Sequence, residues 1–185
     1  MKNSQNIFDL IIIGAGPSGL MTAITASTEQ PDLRILVLEQ KNRIGAKLLM
    51  SGGGRCNVTN QRVCESDYVA GQTRTVRNIL AGFTSKQTVA FFKSLGVEMV
   101  PEEEGKLFPA TQSARTVLEA LLRVLSERQI RLETSQRTNS VKRTDGTFEV
   151  AGKGFRYFAR AVVLGTGGLS YPETGSDGSG YVLAK

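Results

Sequence analysis

The chain has 185 residues, with 23 lysines and arginines against 17 aspartates and glutamates, two cysteines, and no histidine or tryptophan. That length suits one domain, and the lack of histidine excludes Ser-His-Asp and Cys-His catalysis and every zinc site that needs an imidazole ligand. The net charge of +6 is scattered from Lys2 to Lys185 with no basic block, so a solvated basic surface is expected and nucleic-acid binding is not.

In chain order, Ile7 to Ile13 reads as a near-continuous apolar strand, of the kind buried on both faces of a parallel sheet. Its unbroken apolar run, Leu10 to Ile13, is far too short to span a membrane, and no signal peptide is read at the amino terminus. A glycine-rich turn follows, then a helix continuing through Ala23, Ile24 and Ala26 until Pro31 stops it. Arg34 to Glu39 is a second strand, which a right-handed crossover makes parallel to the first. Residues 40–62 show no periodicity and hold Gly45, Gly52, Gly53 and Gly54 among Lys41, Arg43, Lys47, Arg55 and Arg62, so a long functional loop is expected. Cys56 and Cys64 form neither a CxxC pair nor a disulfide framework, which points to a reducing, cytoplasmic setting.

Helices are expected over 74–82 and, capped by Thr84 or Ser85, over 86–95. Val97 to Val100 and Lys106 to Phe108 flank an acidic turn, Glu102 to Gly105, and suggest a short hairpin. Ser113 to Gln129 is an amphipathic helix, with Val117, Leu118, Leu121, Leu122 and Leu125 at core spacing, expected to form the next crossover. Strands then take over at 130–135, 138–143 and 147–151, with a tight turn at Asp145-Gly146. Residues 155–159 pair next, and Ala161 to Leu164 is a last buried strand running into the glycine-rich GTGGLSYPETGSDGSGY. The chain stops at Lys185, just inside a new helix.

The sharpest chemical signal is Gly14-Ala15-Gly16-Pro17-Ser18-Gly19, because this GxGxxG follows a buried strand, opens a helix and is followed by an acid, Glu39, at the end of the next strand. In such a turn Gly14 permits the tight bend, Gly16 lets backbone approach a pyrophosphate, and Gly19 with Ala23 lets helix and strand pack closely. The helix amino terminus attracts an anion, and Glu39 is placed to accept hydrogen bonds from an unphosphorylated ribose. The next segment, GAKLLMSGGGRCNVTN, favours FAD over NAD: it follows the ribose-binding strand where a second Rossmann helix would normally come. Its triglycine permits close backbone contact with a ring or phosphate, while Lys47 and Arg55 complement phosphate charge. The alternatives are an inactive or incomplete nucleotide-binding fragment that needs a second chain, and an NAD-using dehydrogenase fragment.

Together the GAGPSGL turn, KLLMSGGGRCNVTN, EEGKLFPATQSARTVLEALL and GTGGLSYPETGSDGSGY resemble the BaiN-like, aminoacetone-oxidase-like family of NAD(P)/FAD-dependent oxidoreductases, over nearly the whole chain. The resemblance implies an α/β fold over 1–185, a Rossmann-like FAD-binding domain of glutathione-reductase type with a parallel sheet plus a small antiparallel β-meander. It implies non-covalent FAD, with the ADP half on Gly14, Gly16, Pro17, Ser18, Gly19, Glu39 and Gln40 and the flavin end near Gly53, Gly54, Arg55, Cys56 and Asn57. It further implies that Thr166, Gly167 and Gly168 approach the cofactor from the last strand, and that backbone near Thr138 touches the adenine. The implied reaction is hydride transfer to or from a small-molecule substrate such as an amino ketone or an enone steroid, with NAD(P)H or oxygen as partner. Members of that family carry a second domain beyond the point where this chain stops, so the resemblance makes this an amino-terminal portion whose carboxyl-terminal half is a candidate partner.

Other residues carry less. Cys56 is read as a packed cysteine in preference to a redox centre, and Glu102, Glu103 and Glu104 as a solvated turn in preference to a metal site. Phe91, Phe92 and Phe108 are read as core. No catalytic acid or base is assigned: Tyr171 and Arg55 have no identifiable partner in sequence.

Overall fold

The computed structural model describes residues 6–69 and 72–185. The elements run β1 (Ile7–Ile13), α1 (Pro17–Glu29), β2 (Ile35–Leu38), α2 (Ala46–Met50), β3 (Thr59–Asn60), α3 (Thr73–Gly82) and α4 (Ser85–Ser94). They continue as β4 (Met99–Pro101), β5 (Lys106–Pro109), α5 (Ala114–Glu127), β6 (Arg131–Glu133), β7 (Thr138–Thr144), β8 (Thr147–Gly152), β9 (Phe155–Leu164) and α6 (Ser179–Leu183). The described residues divide into two compact units, one of residues 6–47 with 121–185 and one of residues 48–120.

The first unit is built on a six-stranded sheet of order β6-β2-β1-β9-β8-β7. Leu10 to Ile13 lie in parallel register with Ile35 to Leu38 on one side and with Ala161 to Leu164 on the other. Ile11, Ile12, Leu36 and Val37 are fully buried, which is why this run carries no polar alternation. Each such side chain stabilises the fold by about 1.5–3 kcal/mol, so the carboxyl ends of β1 and β2 are firmly held. From them hang the functional turns. α1 begins with Pro17, whose fixed φ suits a first helical position, and turns Gly19, Leu20, Ala23 and Ile24 inward. Its carboxyl end is closed by Arg128, which donates to the Ile24 carbonyl and to Ser27 Oγ, each at 2.8 Å.

β7, β8 and β9 form the expected antiparallel meander. Asp145 (φ 49°) and Gly146 (φ 76°) make its tight turn, the pair of positive angles that suits a two-residue hairpin. Two expectations are corrected here. Residues 155–159 and 161–164 are a single ten-residue strand, which pairs antiparallel with β8 through Phe155 to Ala159 and parallel with β1 through Phe158 to Leu164. Nor is its second half buried throughout: Ala161 and Leu164 are exposed, because α1 packs over β1 and β2 and the sheet's helical cover lies there.

In the second unit β3, β5 and β4 form a small antiparallel sheet, the expected hairpin with one strand added. The loop expected over 40–62 is not structureless: it contains α2, a tight 3-10 turn at Ser51–Gly54, and β3. These pieces are too short for apolar periodicity to declare them. α4 starts where expected, with Thr84 as cap: the Gln87 amide donates to Thr84 Oγ1 at 3.3 Å, and the Thr84 amide donates back to Gln87 Oε1 at 2.8 Å. Phe92 and Phe108 are buried and Phe91 is half-buried, as the core reading requires. Among the described residues no helix is long and apolar enough to cross a membrane.

Candidate functional site

A cavity opens in the first unit at the carboxyl ends of β1, β2 and β9, with about 780 Å³ of empty space including the part open to solvent. That is where parallel α/β sheets place their ligands. Of the residues singled out from sequence, Gly14, Gly16, Pro17, Ser18, Glu39, Gln40, Lys47, Thr138, Thr166 and Gly167 line it. Gly19 sits behind the wall, packed on the Gly14 backbone, and Gly168 follows the lining residue Gly167. Gly53, Gly54, Arg55, Cys56 and Asn57 lie in the second unit. Sequence reading missed Gln136, Thr174, Gly175, Ser176 and Ser179, which also line the cavity; the one signal for most of them was the run of glycines after β9.

The three glycines of the first turn are glycines for different reasons. Gly14 has φ 108°, and a Cβ there would lie 2.4 Å from the Gly165 carbonyl oxygen at the end of β9. A Cβ on Gly19 would lie 1.9 Å from the Gly14 carbonyl oxygen. Both are required by the chain's own packing. Gly16 is not: it caps α1 at φ −77°, a conformation any residue adopts, and a Cβ there would meet nothing within 4 Å. The chain thus keeps empty a space beside a helix amino terminus that no side chain caps.

Charge around this space is uneven. Glu39 is buried, and both its oxygens are held by backbone: Oε2 accepts from the Ala15 amide at 2.9 Å and Oε1 from the Lys41 amide at 2.8 Å. A carboxylate has about four lone-pair directions, so it keeps capacity for a diol while bracing the glycine turn. Lys47 Nζ donates to Ser176 Oγ at 2.7 Å, to the Ser170 carbonyl at 2.8 Å and to Ser170 Oγ at 3.2 Å. These acceptors are all neutral, so its charge is available to an anion. Gln40, which also lines the cavity, is engaged by the protein through one donor and one acceptor: its Nε2 donates to the Gly175 carbonyl and its Oε1 accepts from Arg137, both at 2.6 Å. It ties down the loop after β9.

The same loop is fastened by Asp177, which accepts from Arg137 at 2.8 Å and from the Ser179 amide at 3.1 Å. Hydrogen bonding from Ser179, with help from Arg137, holds its carboxyl down to about 2. A depressed carboxyl stabilises the folded loop in full above its ordinary value of 3.8 and loses that contribution as pH falls through about 2. Peptic cleavage within residues 165–178 should therefore accelerate between about pH 4 and pH 2. Asp177→Asn should cleave fast across that whole window; an unchanged pH profile in the variant would remove Asp177 from the account.

In the second unit, Ser51–Gly54 turn through positive φ at Gly52, Gly53 and Gly54, which brings bare backbone to the surface there. Arg55 is committed within its own unit: Nη1 sits 2.7 and 2.9 Å from the two Glu102 oxygens, and the guanidinium lies 4.2 Å from the Phe108 ring centre. Its charge is thus compensated, unlike that of Lys47. The acidic turn is similarly partnered, with Glu104 ion-paired to Lys106. Cys56 is buried, and burial pushes its thiol up against a weaker opposing hydrogen bond with Ser51. A protonated, enclosed thiol is a poor nucleophile, which favours packing over redox work.

Comparisons with known proteins agree with this geometry. Residues 8–185 match the family described as HI0933-like protein Rossmann domain. The chain is 37% identical over 174 residues to a 3-dehydro-bile acid delta(4,6)-reductase of Clostridium scindens, covering 94% of this chain and 42% of that protein. It is 30% identical over 178 residues to a ribosomal RNA dihydrouridine synthase of Escherichia coli, covering 96% of this chain and 44% of that one. The chain therefore spans less than half the length of these curated relatives. Among solved structures, a 3-ketosteroid-delta4-(5alpha)-dehydrogenase from Rhodococcus jostii superposes with TM-score 0.66 at 14% identity, over 92% of this chain and 48% of that one. The FrdA subunit of E. coli quinol fumarate reductase superposes with TM-score 0.61 at 20% identity, over 88% of this chain and 33% of that one. The fold is a Rossmann-like α/β domain with a mostly parallel sheet and a small antiparallel one. The relative acting on ribosomal RNA means that the expectation against nucleic acid gains no support from these likenesses.

Proposed function

From the premise that this chain belongs to the HI0933-like Rossmann domain family, whose relatives here include oxidoreductases, we propose that it binds FAD non-covalently and serves hydride transfer to a small organic substrate. The observation that carries this reading is Gly16, a glycine the chain does not need for itself, beside an uncapped helix amino terminus. That space fits a diphosphate, which bare backbone and the α1 dipole would hold together with the uncompensated charge of Lys47. Glu39, kept rigid by its two backbone amides, would receive the ribose diol; its charge rejects a phosphorylated ribose. When bound, the flavin supplies the two-electron chemistry that no side chain here can perform. The protein's share is to bind, orient and shield.

The names of the two relatives narrow the substrate class. A delta(4,6)-reductase acting on a 3-dehydro bile acid and a dihydrouridine synthase both saturate a carbon–carbon double bond conjugated to a carbonyl. We assign this chain to the same chemistry: a hydride adds to the β-carbon of the conjugated system and a proton to the α-carbon. A small enone is the preferred substrate, since positive charge is dispersed along the chain and not gathered into a nucleic-acid-binding block.

Titrating the purified protein with FAD, FMN and NADH tests the cofactor. Flavin fluorescence should be quenched by binding of FAD in preference to FMN, with NADH weaker still. Binding of NADH with indifference to FAD would overturn the reading in favour of a dehydrogenase fragment. Turnover of a steroidal enone against a uridine-containing RNA, with chemically reduced flavin, then separates the two substrate classes; saturation of uracil alone would remove the small-molecule assignment.

A further inference from the structure

Among the described residues one buried side-chain polar atom has no hydrogen-bond partner, the hydroxyl of Thr138. The residue is 6% exposed, lines the cavity, and opens β7 beside a register shift between Thr138 and Ser140, a bulge of the kind that re-aims side chains at functional sites. Its cross-strand neighbour is Gly152, which has no side chain to offer. A Cβ on Gly152 would meet the Arg137 carbonyl at 2.3 Å, so that neighbour cannot acquire one cheaply. Valine has nearly the same shape and equal liking for a strand, and it would spare the chain an unsatisfied buried hydroxyl. Threonine at 138 is a local loss, and it lines the same cavity as Glu39, with the residues just before it tied to the Glu39 segment: the Gln136 amide donates to the Glu39 carbonyl at 2.8 Å, and the Ser135 amide to the Lys41 carbonyl at 2.9 Å.

We propose that the Thr138 hydroxyl is a specificity-determining group for the adenosine end of the cofactor, left without a partner in the free chain and satisfied by a hydrogen bond to the nucleoside when it binds. This rests on the FAD reading above and goes beyond the backbone contact expected at this position. A hydroxyl both donates and accepts, so it can answer either a ring nitrogen or the exocyclic amine of adenine. Turning χ1 to another staggered well changes the direction in which it is offered.

The proposal requires stability and affinity to move in opposite directions. Thr138→Val should raise the Tm of the cofactor-free protein by about 2–4 °C. It should weaken FAD about tenfold and leave the weaker binding of FMN, which lacks adenosine, unchanged. Thr138→Ser should restore FAD affinity. Unchanged FAD affinity in Thr138→Val, or an equal loss for FAD and FMN, overturns the proposal while leaving the FAD reading intact. A wild-type protein that binds no FAD overturns both.

Discussion

Gly16→Ala is expected to leave the domain folded and to weaken FAD at least about a hundredfold, or about 2.8 kcal/mol. Nothing in the protein lies within 4 Å of the added methyl, and φ at this residue is ordinary. The only cost to the free chain is exchanging glycine for alanine at a helix cap, under about 1 kcal/mol. The methyl does, however, stand where a pyrophosphate must approach the backbone. Circular dichroism and a Tm within about 4 °C of wild type would establish folding, and FAD titration would give the loss. Tight FAD binding by this variant would refute the assignment of the turn, whatever else held.

The neighbouring substitution Gly19→Ala should do the reverse damage. Alanine is the better helix former by about 1 kcal/mol, so propensity alone predicts a gain. Against this stands a Cβ placed 1.9 Å from the Gly14 carbonyl oxygen, an atom that cannot move without disturbing the end of β1. Overpacking of backbone on backbone costs about 3 kcal/mol or more, and the clash wins. The net loss of about 2–4 kcal/mol should appear as a Tm lowered by about 5–15 °C in the cofactor-free protein. A Tm at or above wild type would mean that the helix and first strand approach less closely than described.

Much of this was legible in the sequence, for physical reasons. The first strand, helix and second strand are marked by an unbroken apolar run, a glycine turn and Pro31, signals that act within a few residues of themselves. α5 declares itself through apolar spacing over four turns, and the Asp145-Gly146 turn through two positive φ angles. What was not legible depends on distant partners. Lys47 meets Ser170 and Ser176 across more than a hundred residues, and Gln40 meets Gly175 across still more. No local pattern encodes such ties, so the strap that Gln40 makes to the loop after β9 leaves no mark in the sequence. β9 was divided in two because its partner changes midway, and partner exchange leaves no mark on the composition of a strand. The isolation of the Thr138 hydroxyl was equally invisible, since a missing partner is a property of the assembled fold.

The position of β1 between β2 and β9 has a consequence for biosynthesis. One side of this strand is closed by residues 35–38, which leave the ribosome soon after it, while the other waits for residues 158–164. Until residues 158–164 emerge, this largely apolar strand therefore has one open edge, a known route to misassociation between nascent chains. The intervening residues 48–120 are contiguous and can organise early, whereas this side of β1 is closed only when β9 emerges. Folding should be slow relative to the size of the domain, because its central pairing carries a long loop-closure cost.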